Sequence, residues 1–335
     1  INTAIDEKSP YTGGHCKRVP TLTMMLAEAA SMTDEGPLAG FTMTEKDRYE
    51  LKIAGLLHDC GKITTPVHVV DKATKLETIF DRIHFVSQRF DILKRDAEIA
   101  MLREKLRAAE TGDQAAAANA ESVFHALCSQ LDDDRAFLQR ANIGGERMSD
   151  ADQQRVEAIA ASPFKSPDGE AGRFLSDDER DNLNIPYGTL LPRERRIINQ
   201  HIDATIKMLE ALPWPRHLKN VPEYAGGHHE RMDGKGYPRG LTRDEMSIQA
   251  RTMGIADIFE ALTAKDRPYK PGKTLSESLE ILGKFRQNGH IDPDLFDVFV
   301  REKVYLKYAE QFLDPVQIDR VDETAIPGFS PAGSK

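Results

Sequence analysis

Two pairs of neighbouring residues carry the densest chemistry in this sequence, His58-Asp59 and His228-His229. Adjacent His and Asp offer a neutral nitrogen and a charged oxygen, both good donors to a divalent metal. Two consecutive histidines on one loop can reach two adjacent ions or bracket a single one. Lys62 follows His58 by four residues, which on a helix puts it on the same face one turn along. There its ammonium could neutralise a phosphate oxygen, and Gly61 would allow close approach of backbone or substrate. The second pair leads into Glu230-Arg231-Met232-Asp233-Gly234-Lys235-Gly236-Tyr237-Pro238, where Pro238 restricts Tyr237 to an extended conformation.

Three further residues sit oddly for their type. Asp257 ends the largely apolar run from Thr252, and a carboxylate there is costly to bury unless paired or metal-bound. His201 lies between Ile198 and Ile202, and His15 closes Tyr11-Thr-Gly-Gly-His just ahead of the first apolar helix. Singly, each reads more readily as a core or surface residue. Together His15, His58, Asp59, His201, His228, His229 and Asp257 make an ordered set of seven candidate ligands.

The elements that must position them read as helices, and the fold class is all-α. Val19, Leu22, Met25, Leu26 and Ala29 recur at helical spacing over 16–31, and Thr44 with Asp47 marks the start of a helix running to His58. From Thr78 to about Ala161, Ile79, Ile83, Val86, Phe90 and Leu93 recur every three or four residues. Gln114–Ala120 is Ala-rich and reads as a helix turn or a loosely held end. Val123, Phe124, Leu127, Leu131 and Leu138 then resume a stripe. This predicts a long amphipathic helical hairpin, a candidate coiled-coil contact for a homodimer. His84 and His125 stand alone in it and read as surface or packing residues. Residues 162–188 are rich in Ser, Pro, Gly and Asp and read as a surface connection. Helices are expected again over Arg193–Leu212, around Gln249–Lys265 and on to about Phe312, before an unstructured end over the last ten residues.

Composition narrows the function classes. The chain has 335 residues, 40% hydrophobic and 30% charged, with a formal net charge of -9 and no block of Lys and Arg. That excludes a nucleic-acid polymer as partner but not a small anion, since metal ions can supply positive charge locally. No apolar run spans a bilayer and no secretory leader is visible, so this piece is assigned to the cytoplasm without direct membrane insertion. A first residue of Ile rather than Met suggests a fragment of a longer chain, whose other domains could carry a membrane anchor. Cys16, Cys60 and Cys128 have no paired spacing and read as reduced thiols.

His15, then His58-Asp59, then Asp257 resembles the scattered signature of the HD phosphohydrolase superfamily. The segments His58–Lys62 and His228–Pro238 resemble its HD-GYP subfamily specifically. The likeness covers residues 1–76 and 189–312, leaving 77–188 as a helical insertion and surface connection and 313–335 as a tail. It implies an HD-type helical bundle enclosing a multinuclear metal site, and hydrolysis of cyclic di-GMP or a related cyclic dinucleotide to the linear dinucleotide or GMP.

Carried over by residue, the resemblance makes His58, Asp59, His201, His228, His229 and Asp257 metal ligands, with His15 a further one. Asp59 would bridge two ions, His15, His58 and Asp257 favouring one and His201, His228 and His229 the other. Three-metal members use an acidic ligand one turn before the first His; Tyr11 occupies that position here, and Asp6 and Glu7 lie off the register. Two ions are therefore expected, iron or manganese by ligand type, with other transition metals such as zinc or nickel open. Lys62, Arg267 and Lys270 would hold phosphate oxygens, although Arg267 is one residue further from Asp257 than the family pattern has it. Arg231 is either a substrate contact or the partner of Asp233 in a loop-shaping ion pair. Tyr237 either lines the base-binding side of the cleft or packs. An HD-type nucleotidase and a non-catalytic cyclic-dinucleotide receptor are the rival readings.

Overall fold

Helix caps set the rhythm of the chain. Thr44 accepts from the Asp47 amide while Asp47 accepts from the Thr44 amide, and this reciprocal box opens a helix that carries His58 at its far end. The computed structural model describes residues 7, 8, 10–34, 36–145, 147–165, 169–265 and 272–329, with the side chains of residues 10–13 left aside. It divides into two compact units, one formed by residues 1–71 and 196–335 and the other by 72–195. Among the described residues no helix is long and apolar enough to cross a membrane, and the three cysteines are free thiols.

The first unit is helical throughout. α1 (Pro10–Ser31) packs against α2 (Glu45–Leu57) and against α11 (Ile248–Thr263). Val19, Leu22 and Leu26 of α1 meet Leu51 and Ala54 of α2 and Met253, Ala256 and Phe259 of α11, all fully buried. At about 1.5–3 kcal/mol for each large apolar side chain removed from water, this is the dominant stabilisation of the unit. α3 (Val67–Val70) follows the site turn, and the short α10 (Val221–Gly226) leads into His228-His229. The core closes with α12 (Leu275–Gln287), α13 (Pro293–Arg301) and α14 (Val304–Phe312).

Asp292 caps α13 by accepting from the Asp294 and Leu295 amides at 2.9 and 3.1 Å, and its buried carboxylate also takes the Arg243 and Arg251 guanidinium groups. Replacing Asp292 by Ala should lower unfolding free energy by about 2–3 kcal/mol, because a cap and two charge partners go together. The shift of the urea midpoint measures it.

The second unit has its own core. α4 (Ile83–Thr111) and α5 (Gln114–Asn142) form the antiparallel hairpin, turned by Gly112 at φ 75° and restarted by Asp113, whose side chain accepts from the Ala116 amide. Gln114–Ala120 is thus the first part of α5. α6 (Asp150–Ala161), a hairpin of β1 (Pro163–Lys165) and β2 (Ala171–Arg173), and α7 (Asp177–Leu183) complete the unit. Phe90 meets Phe174 at 4.5 Å between ring centroids, and Arg89 grips Glu179 with two bonds of 2.7 and 2.8 Å.

Several expectations need correcting. Residues 162–188 are more than a surface connection, since Phe174, Leu175 and Leu183 are buried in the second core. The insertion begins before residue 77: the Lys75 amide donates to the Asn142 carbonyl at 2.8 Å, and Leu76 is buried against α4 and α5 residues. Residues 193–212 are two helices, α8 (Pro192–Asn199) and α9 (His201–Glu210), broken at Gln200. The His201 imidazole takes the Ile198 carbonyl, which a continuous helix would have used itself. The end of the chain is not loose over 326–329, because Ile326 and Phe329 are buried in the first core. His15 lies within α1 rather than ahead of it.

Candidate metal centre

Histidines at helix ends are oriented here by one repeated device. His58 Nδ1 donates to the Gly55 carbonyl at 2.7 Å, His201 Nδ1 to Ile198 at 2.5 Å and His228 Nδ1 to Ala225 at 2.6 Å. Each carbonyl lies three residues back, near a helix end where intrahelical donors run out. His15 is held differently: its Nδ1 donates to the buried Glu260 carboxylate. In the neutral tautomer, with the proton on Nδ1, each Nε2 carries a lone pair.

Those lone pairs converge. His58 Nε2 lies 3.3 Å from His15 Nε2, and His229 Nε2 lies 3.2 Å from His201 Nε2. Two lone pairs at such distances repel unless a cation or a proton stands between them. Asp59 Oδ1, 3.1 Å from His201 Nε2, is buried without a hydrogen-bond partner, and so is His228 Nε2. Orphaned buried polar atoms are expensive, and here they are good ligands for a divalent metal. The seven candidate ligands fall into two groups, Asp59 with His201, His228 and His229, and His15 with His58 and Asp257. Within each group the donor atoms lie within 4.8 Å of one another. Asp59 Oδ2 also faces the second group, 3.2 Å from His15 Nε2 and 3.4 Å from His58 Nε2. These residues fit a divalent-metal centre.

The electrostatics point the same way. Burial opposes ionisation of Asp59 and Asp257, yet both carboxyls stay well below the usual range, Asp59 through Lys62 and the surrounding imidazoles and Asp257 through the facing imidazoles of His15 and His58. Burial, reinforced by His58, pushes His228 down to about 4, and burial with the neighbouring His228 pushes His229 well down too. Both shifts favour the neutral imidazole, the form that can donate a lone pair to a metal. His15 goes the other way: burial opposes its protonation, but Asp257, Asp59 and Glu260 raise it well above its ordinary value. Such a pocket attracts positive charge.

Lys62 does not stack over His58. After α2 the chain tightens into a 3-10 turn over Cys60–Thr64, where side chains three apart eclipse. Lys62 Nζ therefore meets Asp59 Oδ2, at 2.6 Å. Beside the cluster opens a cleft of about 450 Å³ lined by His228, His229, Arg231, Tyr237, Asp257 and Ile258, among others. That suits a small-molecule ligand. Tyr237 stacks on His229, with centroids 4.8 Å apart and rings 24° from parallel, and its ring is also on the cleft wall. Arg231 pairs with Asp233 through bonds of 3.0 and 2.9 Å while lining the same cleft. Arg267 and Lys270 lie outside the described residues, as do Asp6 and the side chain of Tyr11.

Two residues escape the sequence reading. Glu230 is buried and accepts from the Arg239 and Leu241 amides at 2.7 and 2.9 Å, folding the Gly-Tyr-Pro loop back on itself. Glu260 holds His15 on one oxygen and Arg18 on the other, the latter at 2.6 Å. Its signal is its position three residues after Asp257, one turn along the same helix. A carboxylate behind a metal-binding histidine fixes ring orientation and raises basicity. Glu260→Ala should weaken binding of a divalent ion to the metal-stripped protein about 10–100-fold, measured by calorimetric titration.

Comparison with known proteins agrees with this geometry. The HD domain family matches residues 12–143 and, through a second family of the same description, 178–295. A 3'3'-cGAMP-specific phosphodiesterase of Vibrio cholerae is 46% identical over 81 residues, covering 24% of this chain and 19% of its own. A cyclic di-GMP phosphodiesterase of Pseudomonas aeruginosa is 43% identical over 119 residues, 36% of this chain and 27% of its own. A cyclic di-GMP phosphodiesterase response regulator of Xanthomonas campestris is 40% identical over 173 residues, 51% of this chain and 44% of its own. In each case the match spans less than half of the relative's length.

Proposed function

We propose, given that this chain belongs to the HD domain family and to its HD-GYP branch, that it is a metal-dependent phosphodiesterase acting on a cyclic dinucleotide, cyclic di-GMP first among them. The observation that carries the reading is the convergence of five imidazoles and two carboxylates on two adjoining donor groups beside a nucleotide-sized cleft. Relatives named for cyclic di-GMP and for 3'3'-cGAMP supply the substrate class. Two divalent ions are proposed, with iron or manganese favoured by the mixed imidazole and carboxylate donors. When bound, such ions polarise a phosphoryl oxygen and lower the pKa of water to near neutrality.

The chain's own residues do the rest. Asp59 faces both donor groups, Oδ1 towards His201 and Oδ2 towards His15 and His58, and so would help to hold an ion in either. Lys62 turns from Asp59 to a non-bridging phosphate oxygen when the dinucleotide enters, with Arg267 and Lys270 as further phosphate contacts. Tyr237 presents its ring face to a base, as stacking on a sequence-tolerant π-surface requires. Arg231, steadied by Asp233, lines the base side of the cleft. A cytoplasmic location accords with the three free thiols.

The test is to purify the protein without added metal, measure its bound metals by elemental analysis, and incubate it with cyclic di-GMP and 3'3'-cGAMP separately. About two ions of iron or manganese per chain, with linear dinucleotide or GMP released, is the expected result. Bound metal and tight nucleotide binding without product would replace the enzyme by a receptor. Neither metal nor product after anaerobic reconstitution would overturn the reading.

A further inference from the structure

The outer face of α4, turned away from α5, carries an apolar stripe that its own unit covers only in part, at half-buried Ile92 and where Phe80 meets Phe85. Phe85, Ile92, Ile99 and Leu106 follow one another at seven-residue intervals, with Leu102 and Ala109 three residues after the last two. Ile99, Leu102 and Leu106 are 47%, 53% and 64% exposed. The inward face is a separate set, in which Ile83, Val86, Phe90 and Ala108 are buried. Scattered exposed leucines need no explanation. A seven-residue repeat is different, because it is the seam along which one helix supercoils around another.

The seam avoids like-charge contact in one direction. In a parallel pairing of two α4 helices, Glu98 would meet Arg103 and Lys105 would meet Glu110, but Arg95 would face its own copy across the seam and Asp91 would face Asp96. In an antiparallel pairing, Ile99 packs on Leu102 of the second copy, Ile92 on Ala109, and the Arg95 stem lies along Leu106. The flanking charges then match: Asp96 meets Arg103 of the second copy, and Glu98 meets Lys105, which turns outward from its 3.2 Å pair with Glu121 of α5, each contact made twice by the two-fold axis. We propose that the inserted unit is a dimerisation module, in which α4 pairs antiparallel with α4 of a second copy of this chain about a two-fold axis near residue 100. The inference does not depend on the proposed activity.

Light scattering on the 335-residue chain across a dilution series, paired with sedimentation equilibrium, tests it. The wild type should show the mass of two chains. Ile99→Glu with Leu102→Glu should raise the dimer dissociation constant at least about a hundredfold. Because these positions are exposed, helix content by circular dichroism should stay unchanged. Asp96→Arg alone should weaken the dimer about tenfold, and adding Arg103→Asp should restore it. A wild type that stays monomeric at every concentration overturns the proposal and assigns the stripe to another chain. Failure of the double swap to rescue, with rescue instead by Glu98→Arg plus Arg103→Glu, overturns the antiparallel pairing.

Discussion

Asp59→Ala protein is expected to purify folded, nearly free of transition metal, and with turnover of a cyclic dinucleotide lowered about 10⁴-fold or more. The reasoning is one of charge and reach. Among the described residues Asp59 supplies the one carboxylate of the group that holds His201, His228 and His229, through Oδ1, while Oδ2 lies against His15 and His58. Removing it leaves three imidazoles and no carboxylate in one group and strips the shared donor from both. A divalent ion without carboxylate compensation in a buried site meets a large desolvation cost. Asp59→Asn keeps the shape and one oxygen but loses the charge, so it should retain less metal than wild type and more than the alanine variant. Elemental analysis reads both variants directly, and circular dichroism shows that the helices persist. Wild-type turnover by Asp59→Ala with only a trace of metal would sink the proposed chemistry.

Much of this site is legible in the sequence because its residues are the wrong type for where they stand. Asp257 inside an apolar helix and His201 between isoleucines advertise a polar purpose, and the Thr44–Asp47 box marks a helix start through purely local bonds. What stays hidden depends on distant partners. Glu260 looks like any surface glutamate until α1 brings His15 and Arg18 against it. Phe174 and Leu183 lie in a stretch whose polar composition conceals that α4 and α6 cover them. Lys62 is four residues from His58 in sequence, yet the chain changes from an α to a 3-10 pitch between them, which moves the ammonium onto Asp59. That change of pitch is a tertiary effect, and Gly61 is where it is decided.

Gly61→Ala is expected to disable the centre without touching a ligand. The Gly61 amide donates to Thr205 Oγ1 at 2.8 Å, so the turn after Asp59 rests directly on α9. A methyl group on Gly61 would overlap the His201 carbonyl oxygen and stand 2.5 Å from the Thr205 amide nitrogen. Neither obstacle is the free end of a flexible side chain; the carbonyl and the amide belong to the backbone of α9. The helix or the turn must therefore give way, and either movement separates Asp59 from His201, now 3.1 Å apart. Displacing a catalytic group by about 1 Å can cost 10²-fold in rate, and overpacking a close backbone contact costs about 1–3 kcal/mol. The variant should thus lose at least about a hundredfold in turnover, bind metal more weakly, and unfold at lower denaturant, while Asp59 and His201 both remain present. Gly283→Ala is the control. Its added carbon would meet the Pro327 carbonyl oxygen at 2.5 Å where α12 packs on the 326–329 segment, away from every candidate ligand, so it should lower stability while leaving the ligand geometry of the folded protein intact. Equal metal affinity in Gly61→Ala and wild type would refute the idea that this contact sets the distance between the two ligands.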